Sequence, residues 1–155
     1  MFFESTSPEV VSALGKAGAA FAICFAAMGS AAGTGMAGMA AVVAWKKCYA
    51  QKKMAPFMLV AFVGAPLTQT IYGMIVMNKV LKAAEAGAMY HNLLLGGLAA
   101  GVAIGLSALM QGRAGAGASD ALAETGKGFV NYLMALGVIE TVALFVMVFI
   151  TKAVS

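Results

Sequence analysis

One carboxylate in this chain stands inside an apolar run. Of six acidic residues, five fall in the amino-terminal segment or between apolar stretches. Glu140 lies near the middle of GFVNYLMALGVIETVALFVMVFIT. Placing a charge at the centre of a bilayer costs roughly 2.5–3.5 kcal/mol on insertion scales. Carboxylates at such depth usually mark a path for ions or protons. The plainer alternative is a protonated Glu that makes one interhelical hydrogen bond for assembly.

A second apolar run supplies polar company in the stretch PLTQTIYG, with Pro66, Thr68, Gln69, Thr70 and Tyr72. Thr68 and Tyr72 are four apart and share a helix face, with Gln69 beside it. Pro66 lacks a backbone N–H and so frees a carbonyl of the preceding turn. Freed carbonyls at membrane depth are tolerated where they line a site. Gln111, expected near the cytoplasmic side of the third run, adds another amide. Hydroxyl, amide and carboxylate oxygens suit a hard cation, and no soft ligand accompanies them. Taken singly, Thr68, Gln69 and Gln111 read as hydrogen-bonding glue between helices. Combined with Glu140, they point to a cation site. Tyr72 either holds Glu140 in place by a hydrogen bond or only packs.

Other reactive residue types point nowhere. Cys24 lies in an apolar run and Cys48 beside lysines, without a CxxC or a His/Cys cluster. His91 reads as a solvated loop residue, and the twelve methionines as packing or lipid-facing filler. No phosphate-binding loop is present.

The elements that must position these groups follow from composition. The chain of 155 residues is 62% hydrophobic and 10% charged, where soluble domains carry roughly 25% charged residues. So few charges cannot clothe a water-facing surface. Apolar runs extend over about 17–45, 54–77, 93–110 and 129–151. Each is near or above the ~20 residues that cross a bilayer. The expected fold is all-α, with four transmembrane helices in one membrane domain over 1–155. The helices form two tandem hairpins, about 11–79 and about 91–153. Helical composition continues past the first and third runs, through Ala44 and Ala118, so these helices are expected to project beyond the bilayer.

The net charge of +4 is concentrated in Lys46, Lys47, Lys52 and Lys53. Beside membrane spans such a cluster sets topology rather than binding nucleic acid. It places the 46–53 connection in the cytoplasm, together with the Gly/Ala-rich connection 112–127. The 80–92 connection and both termini then lie outside, in a multi-pass protein of the cell membrane. The opening MFFESTSPEVVSALGK carries Glu4 and Glu9 before any basic residue, unlike a cleaved signal peptide. Trp45 and Tyr132 fit an interfacial aromatic belt.

The first and third runs carry small residues at helical spacing: Gly29, Gly33 and Ala37, then Gly97, Gly101 and Gly105. Such faces let helix backbones approach closely in lipid. The second and fourth runs are bulkier. The alternation occurs twice, with Gly35 and Gly38 matching Gly112 and Gly115 in a weak internal repeat. Small-faced helices can crowd an inner circle and bulky ones fill an outer circle. One chain cannot close such a circle, which implies a homo-oligomeric, double-layered ring.

Four stretches in order, GSAAGTGMAG, PLTQTIYG, MQGRAGAGA and GVIETVAL, carry a resemblance. The chain resembles the proteolipid (K- or c-type) subunits of prokaryotic V-type rotary ATPases over nearly its whole length. The resemblance implies a rotor ring of identical subunits, turned by a central-stalk subunit and working against a stator membrane subunit. It implies no catalysis by the chain itself; ATP is hydrolysed in the soluble sector. Glu140 falls on the family's ion-carrying carboxylate, and Gln69 occupies the corresponding region of the first hairpin. Sodium-carrying members are similar at Thr68, Gln69, Gln111 and Tyr72, with the backbone carbonyl of Ala65 as a further ligand. Tyr72 then locks the site. The residues Thr70 and Ile71 depart from the small residues common there.

The resulting expectation is Na⁺ translocation coupled to ATP hydrolysis, with lipid around the ring and no nucleic acid partner. One alternative keeps the ring and carries H⁺ on Glu140. Another is a small multidrug-type cation antiporter, also with four spans and one membrane Glu. Aromatic residues at 9% and two Gly/Ala-rich helices disfavour it.

Overall fold

The computed structural model describes residues 7–154. All regular structure among them is helical, in the order α1 (Pro8–Ala50), α2 (Leu59–Gly64), a 3₁₀ turn (Ala65–Leu67), α3 (Thr68–Glu85), α4 (Tyr90–Thr125) and α5 (Phe129–Ala153). The second span runs from Leu59 to Glu85 as α2, the turn and α3. It is one rod tightened at Pro66, where the proline cannot donate to Phe62 O. Four rods are therefore long and apolar enough to cross a membrane. The amino-terminal Glu4 lies outside the described residues. Helix α1 starts at Ser7, whose Oγ accepts from Val10 N, with Pro8 in the first turn.

Helices α1 and α4 run parallel and in close contact, with Gly18 at Gly97, Ala22 at Gly101, Gly33 at Gly112 and Ala37 at Gly115. The second span and α5 return antiparallel to them. The internal repeat thus appears as two hairpins of the same direction side by side, with contact partners two residues out of step with the matched glycines. At Gly33–Gly112 the backbones approach so closely that a methyl group on Gly112 would overlap the main chain of Gly33. Any larger side chain there would drive the two helices apart, and in lipid this packing is what holds them together.

The α1 helix has 43 residues and α4 has 36, about 64 and 54 Å at 1.5 Å per residue. Both exceed the ~30 Å of hydrocarbon. Two expected connections shrink accordingly. Lys46, Lys47 and Cys48 belong to α1 rather than to a loop, and Cys48 is buried beside Ala123 O. The expected connection 112–127 is helix as far as Thr125. Glycine lowers helix propensity, but Gly112 and Gly115 here face neighbouring backbone, and that close packing outweighs the propensity loss. The real α4–α5 turn is three residues long and uses left-handed Gly126 (φ 65°) and Gly128 (φ 91°).

At this end Trp45 donates to Pro56 O at 2.8 Å, fastening the α1–α2 connection. Tyr132 meets Phe62 edge-on. Lys47 pairs with Asp120 at 2.7 Å and lies 3.8 Å from Glu124, tying the ends of α1 and α4 together on the exposed surface.

The buried apolar side chains fall into two clusters. One contains Ala26 of α1, Val76 of α3, Ile104 of α4 and Ala143 of α5. The other contains Ala41 of α1, Phe62 of α2, Ala118 of α4 and Leu136 of α5. On every rod the residues between the two clusters include the polar ones. A polar layer therefore interrupts the core at one level. Outside it, α5 presents Val138, Val142, Phe145 and Phe149, all exposed in the single chain.

Candidate functional site

Three rods contribute to the polar layer. Immediately after the 3₁₀ turn, α3 presents Thr68, Gln69 and Tyr72 within its first turns. Gln111 lies well inside α4, not near its end, because α4 continues over three more turns. Glu140 lies near the middle of α5. The side chains converge despite coming from positions up to 68 residues apart.

Glu140 accepts two hydrogen bonds. Tyr72 Oη donates to Oε1 at 2.7 Å, and Gln111 Nε2 donates to Oε2 at 3.1 Å. The same Gln111 nitrogen donates to Leu136 O at 3.1 Å. Its Oε1 accepts from Gln69 Nε2 at 2.7 Å. Gln69 and Gln111 are both completely buried. A buried amide without partners costs about 1–3 kcal/mol, so this pair fixes the separation of α3 and α4 at the level of the carboxylate.

On the far side of Gln69 lies a group of oxygens. Thr68 Oγ1 is 3.0 Å from Ala65 O and 3.1 Å from Gln69 Oε1. One hydroxyl proton serves two acceptors there. Three oxygens with a single hydrogen among them form a partly negative pocket, and a hard cation can take such oxygens as ligands.

The six residues expected at the site are thus joined in one network: Ala65, Thr68, Gln69, Tyr72, Gln111 and Glu140. Tyr72 does touch Glu140. Gln111 behaves differently from a simple oxygen ligand, because it faces the carboxylate through nitrogen while its oxygen engages Gln69. Two supporting contacts escaped the sequence reading. Ser107 Oγ donates to Ile139 O at 2.9 Å, fastening α4 to α5 one residue before Glu140. Leu136 O receives Gln111. The signal available for Ser107 was its spacing of four from Gln111 on one helix face. Among the described residues no three His, Cys, Asp or Glu side chains gather to hold a metal, so Glu140 stands as the one acid of the layer.

Comparison with known proteins bears on the second hairpin. No curated protein matches the chain. Residues 94–150 match the ATP synthase C-subunit family. The matched segment contains Ser107, Gln111 and Glu140, while Ala65, Thr68, Gln69 and Tyr72 lie before it. The hairpin that carries the carboxylate is therefore similar to the C-type rotor protein of ATP synthase.

Proposed function

We propose that the chain is an ion-carrying rotor subunit of a V-type rotary ATPase, a membrane proteolipid whose cargo is Na⁺. It is not itself the catalyst; the work comes from ATP hydrolysis in a soluble sector. The match over 94–150 supports the proteolipid reading. The observation that carries the choice of Na⁺ is the oxygen group of Ala65, Thr68 and Gln69 beside a carboxylate already held by two donors. A site for protons alone needs the carboxyl group and one partner, not a set of extra oxygens.

In this reading Na⁺ lies between Glu140 and the oxygens of Thr68, Gln69 and Ala65. Gln111 joins by turning its amide over, so that Oε1 faces the ion. Tyr72 keeps Glu140 aligned from the other side. Occupancy neutralises the carboxylate, which lowers the cost of carrying the site past lipid. Identical subunits form the ring, with the bulky α5 faces outward and the small-faced α1 and α4 inward. A stator membrane subunit of the complex displaces the ion and a central-stalk subunit turns the ring. The basic 46–53 end is cytoplasmic and both termini are outside. Moving one charge against 100 mV takes about 2.3 kcal/mol, within reach of ATP hydrolysis.

Binding of ²²Na⁺ to the purified oligomer across pH tests this. Saturable binding that disappears in Glu140→Gln and weakens with falling pH supports it. Absence of binding at every pH leaves the same ring carrying H⁺. A dimer by mass measurement contradicts the rotor itself and favours the small antiporter.

A further inference from the structure

At the end of the molecule opposite the 46–53 connection, α3 and α5 enclose an open groove of about 450 Å³. Its lining is Ile75, Asn78, Lys79, Lys82, Thr151 and Lys152. Three lysines line it and no acid does. None of the three forms an ion pair among the described residues. The nearest acid along the chain, Glu85, sits one turn beyond Lys82 and is not part of the lining.

Helix-end electrostatics account for part of this. Lys82 and Lys152 each occupy a last helical turn, where a cation is favoured. That does not account for Lys79, a turn earlier, or for bringing two helix ends together so that their cations face one space. Three like charges around one groove repel each other, and an anion seated between them relieves that repulsion. Lysines outside the cytoplasm also run against the usual topology bias.

The groove continues into exposed apolar surface. Ile75 forms its floor, and Met74, Val148 and Phe149 are exposed on the same two helices toward the membrane centre. Lys79 lies two turns, about 10 Å, beyond Tyr72, a depth suited to the headgroup zone when Tyr72 is near mid-bilayer. A cationic mouth above an apolar wall matches a phosphate above acyl chains.

We propose that this groove binds the phosphate of an anionic phospholipid of the outer leaflet, with its acyl chains along α3 and α5. The proposal rests on the chain crossing the membrane, not on the identity of the ion.

The test uses the full chain reconstituted in phosphatidylcholine vesicles with trace spin-labelled phosphatidylglycerol. Electron paramagnetic resonance reads the motionally restricted fraction, compared with labelled phosphatidylcholine. The native chain is expected to prefer phosphatidylglycerol by several-fold, on the order of fivefold. The triple variant Lys79→Ala, Lys82→Ala, Lys152→Ala is expected to fall below twofold, while the corresponding triple Lys→Arg variant keeps the preference. Retained preference in the alanine variant overturns the proposal. So does its loss in the arginine variant with the oligomer intact, because that requires lysine-specific packing rather than charge. Abolition of the preference by millimolar inorganic phosphate also overturns it, since a free anion then suffices.

Discussion

Gln69 and Gln111 are bonded amide to amide at 2.7 Å, with neither side chain reached by solvent. They join the two hairpins at the level of Glu140, and Gln111 passes the connection on to the carboxylate. A charge held by such a chain is positioned before any ion arrives. Low dielectric makes each member costly to remove.

Replacing Gln111 by Ala removes a donor from Glu140 and leaves the Gln69 amide unpaired. The expected loss of folded stability is about 1–3 kcal/mol, with Na⁺ affinity lower by at least about tenfold. Gln69→Ala on top of it should cost less than it does alone, because the partner is already gone. Thermal unfolding of the four members of this cycle in detergent, with Na⁺ titration, measures both effects. Additive losses would show that the amides act separately.

Tyr72→Phe deletes one oxygen and keeps the ring. A hydrogen bond to a charged group contributes roughly 1.5–3 kcal/mol, so Na⁺ should bind at least about tenfold more weakly while the fold and oligomer persist. Unchanged affinity would reduce Tyr72 to packing.

Gly112→Val places a branched side chain into the main chain of Gly33. The expected result is failure to accumulate as a folded protein, read by expression and by helix content in detergent. Gly35 differs, because nothing lies within 4 Å of a Cβ there. Gly35→Leu should leave the single chain folded yet lower the yield of closed oligomer if a neighbouring copy packs on this face. Native mass measurement distinguishes the two. An oligomer indifferent to Gly35→Leu would count against the inner position of α1.

Ser107→Ala removes the bond to Ile139 O and should cost about 1 kcal/mol. Its effect on Na⁺ affinity should be smaller than that of Gln111→Ala, since Ser107 holds the backbone before Glu140 and does not touch the carboxylate.

The sequence was most legible where physical cost is greatest. Glu140 stood out because a charge in an apolar run is expensive, and Thr68, Gln69 and Tyr72 stood out by helical spacing beside Pro66. The course of α4 was less legible. Gly112, Gly115 and Gly117 read as a loop by propensity, and only the parallel neighbour α1 shows why Gly112 and Gly115 belong in a helix. That misreading also put Gln111 near a helix end instead of well inside one. The direction of the Gln111 amide and the Ser107 bond depend on the α4–α5 register, which no local pattern encodes. Lys79, Lys82 and Lys152 are 73 residues apart at the extremes, so their shared groove exists only in the fold.

The central claim is that Glu140 carries Na⁺, and carbodiimide labelling of the purified oligomer tests it most directly. The reagent attacks the protonated carboxyl group, and bound Na⁺ keeps Glu140 ionised. Na⁺ should therefore slow labelling of Glu140, with more Na⁺ needed as the pH falls, and Thr68→Ala should weaken the protection. Labelling of Glu140 that proceeds at the same rate with and without Na⁺ at every pH would contradict the account.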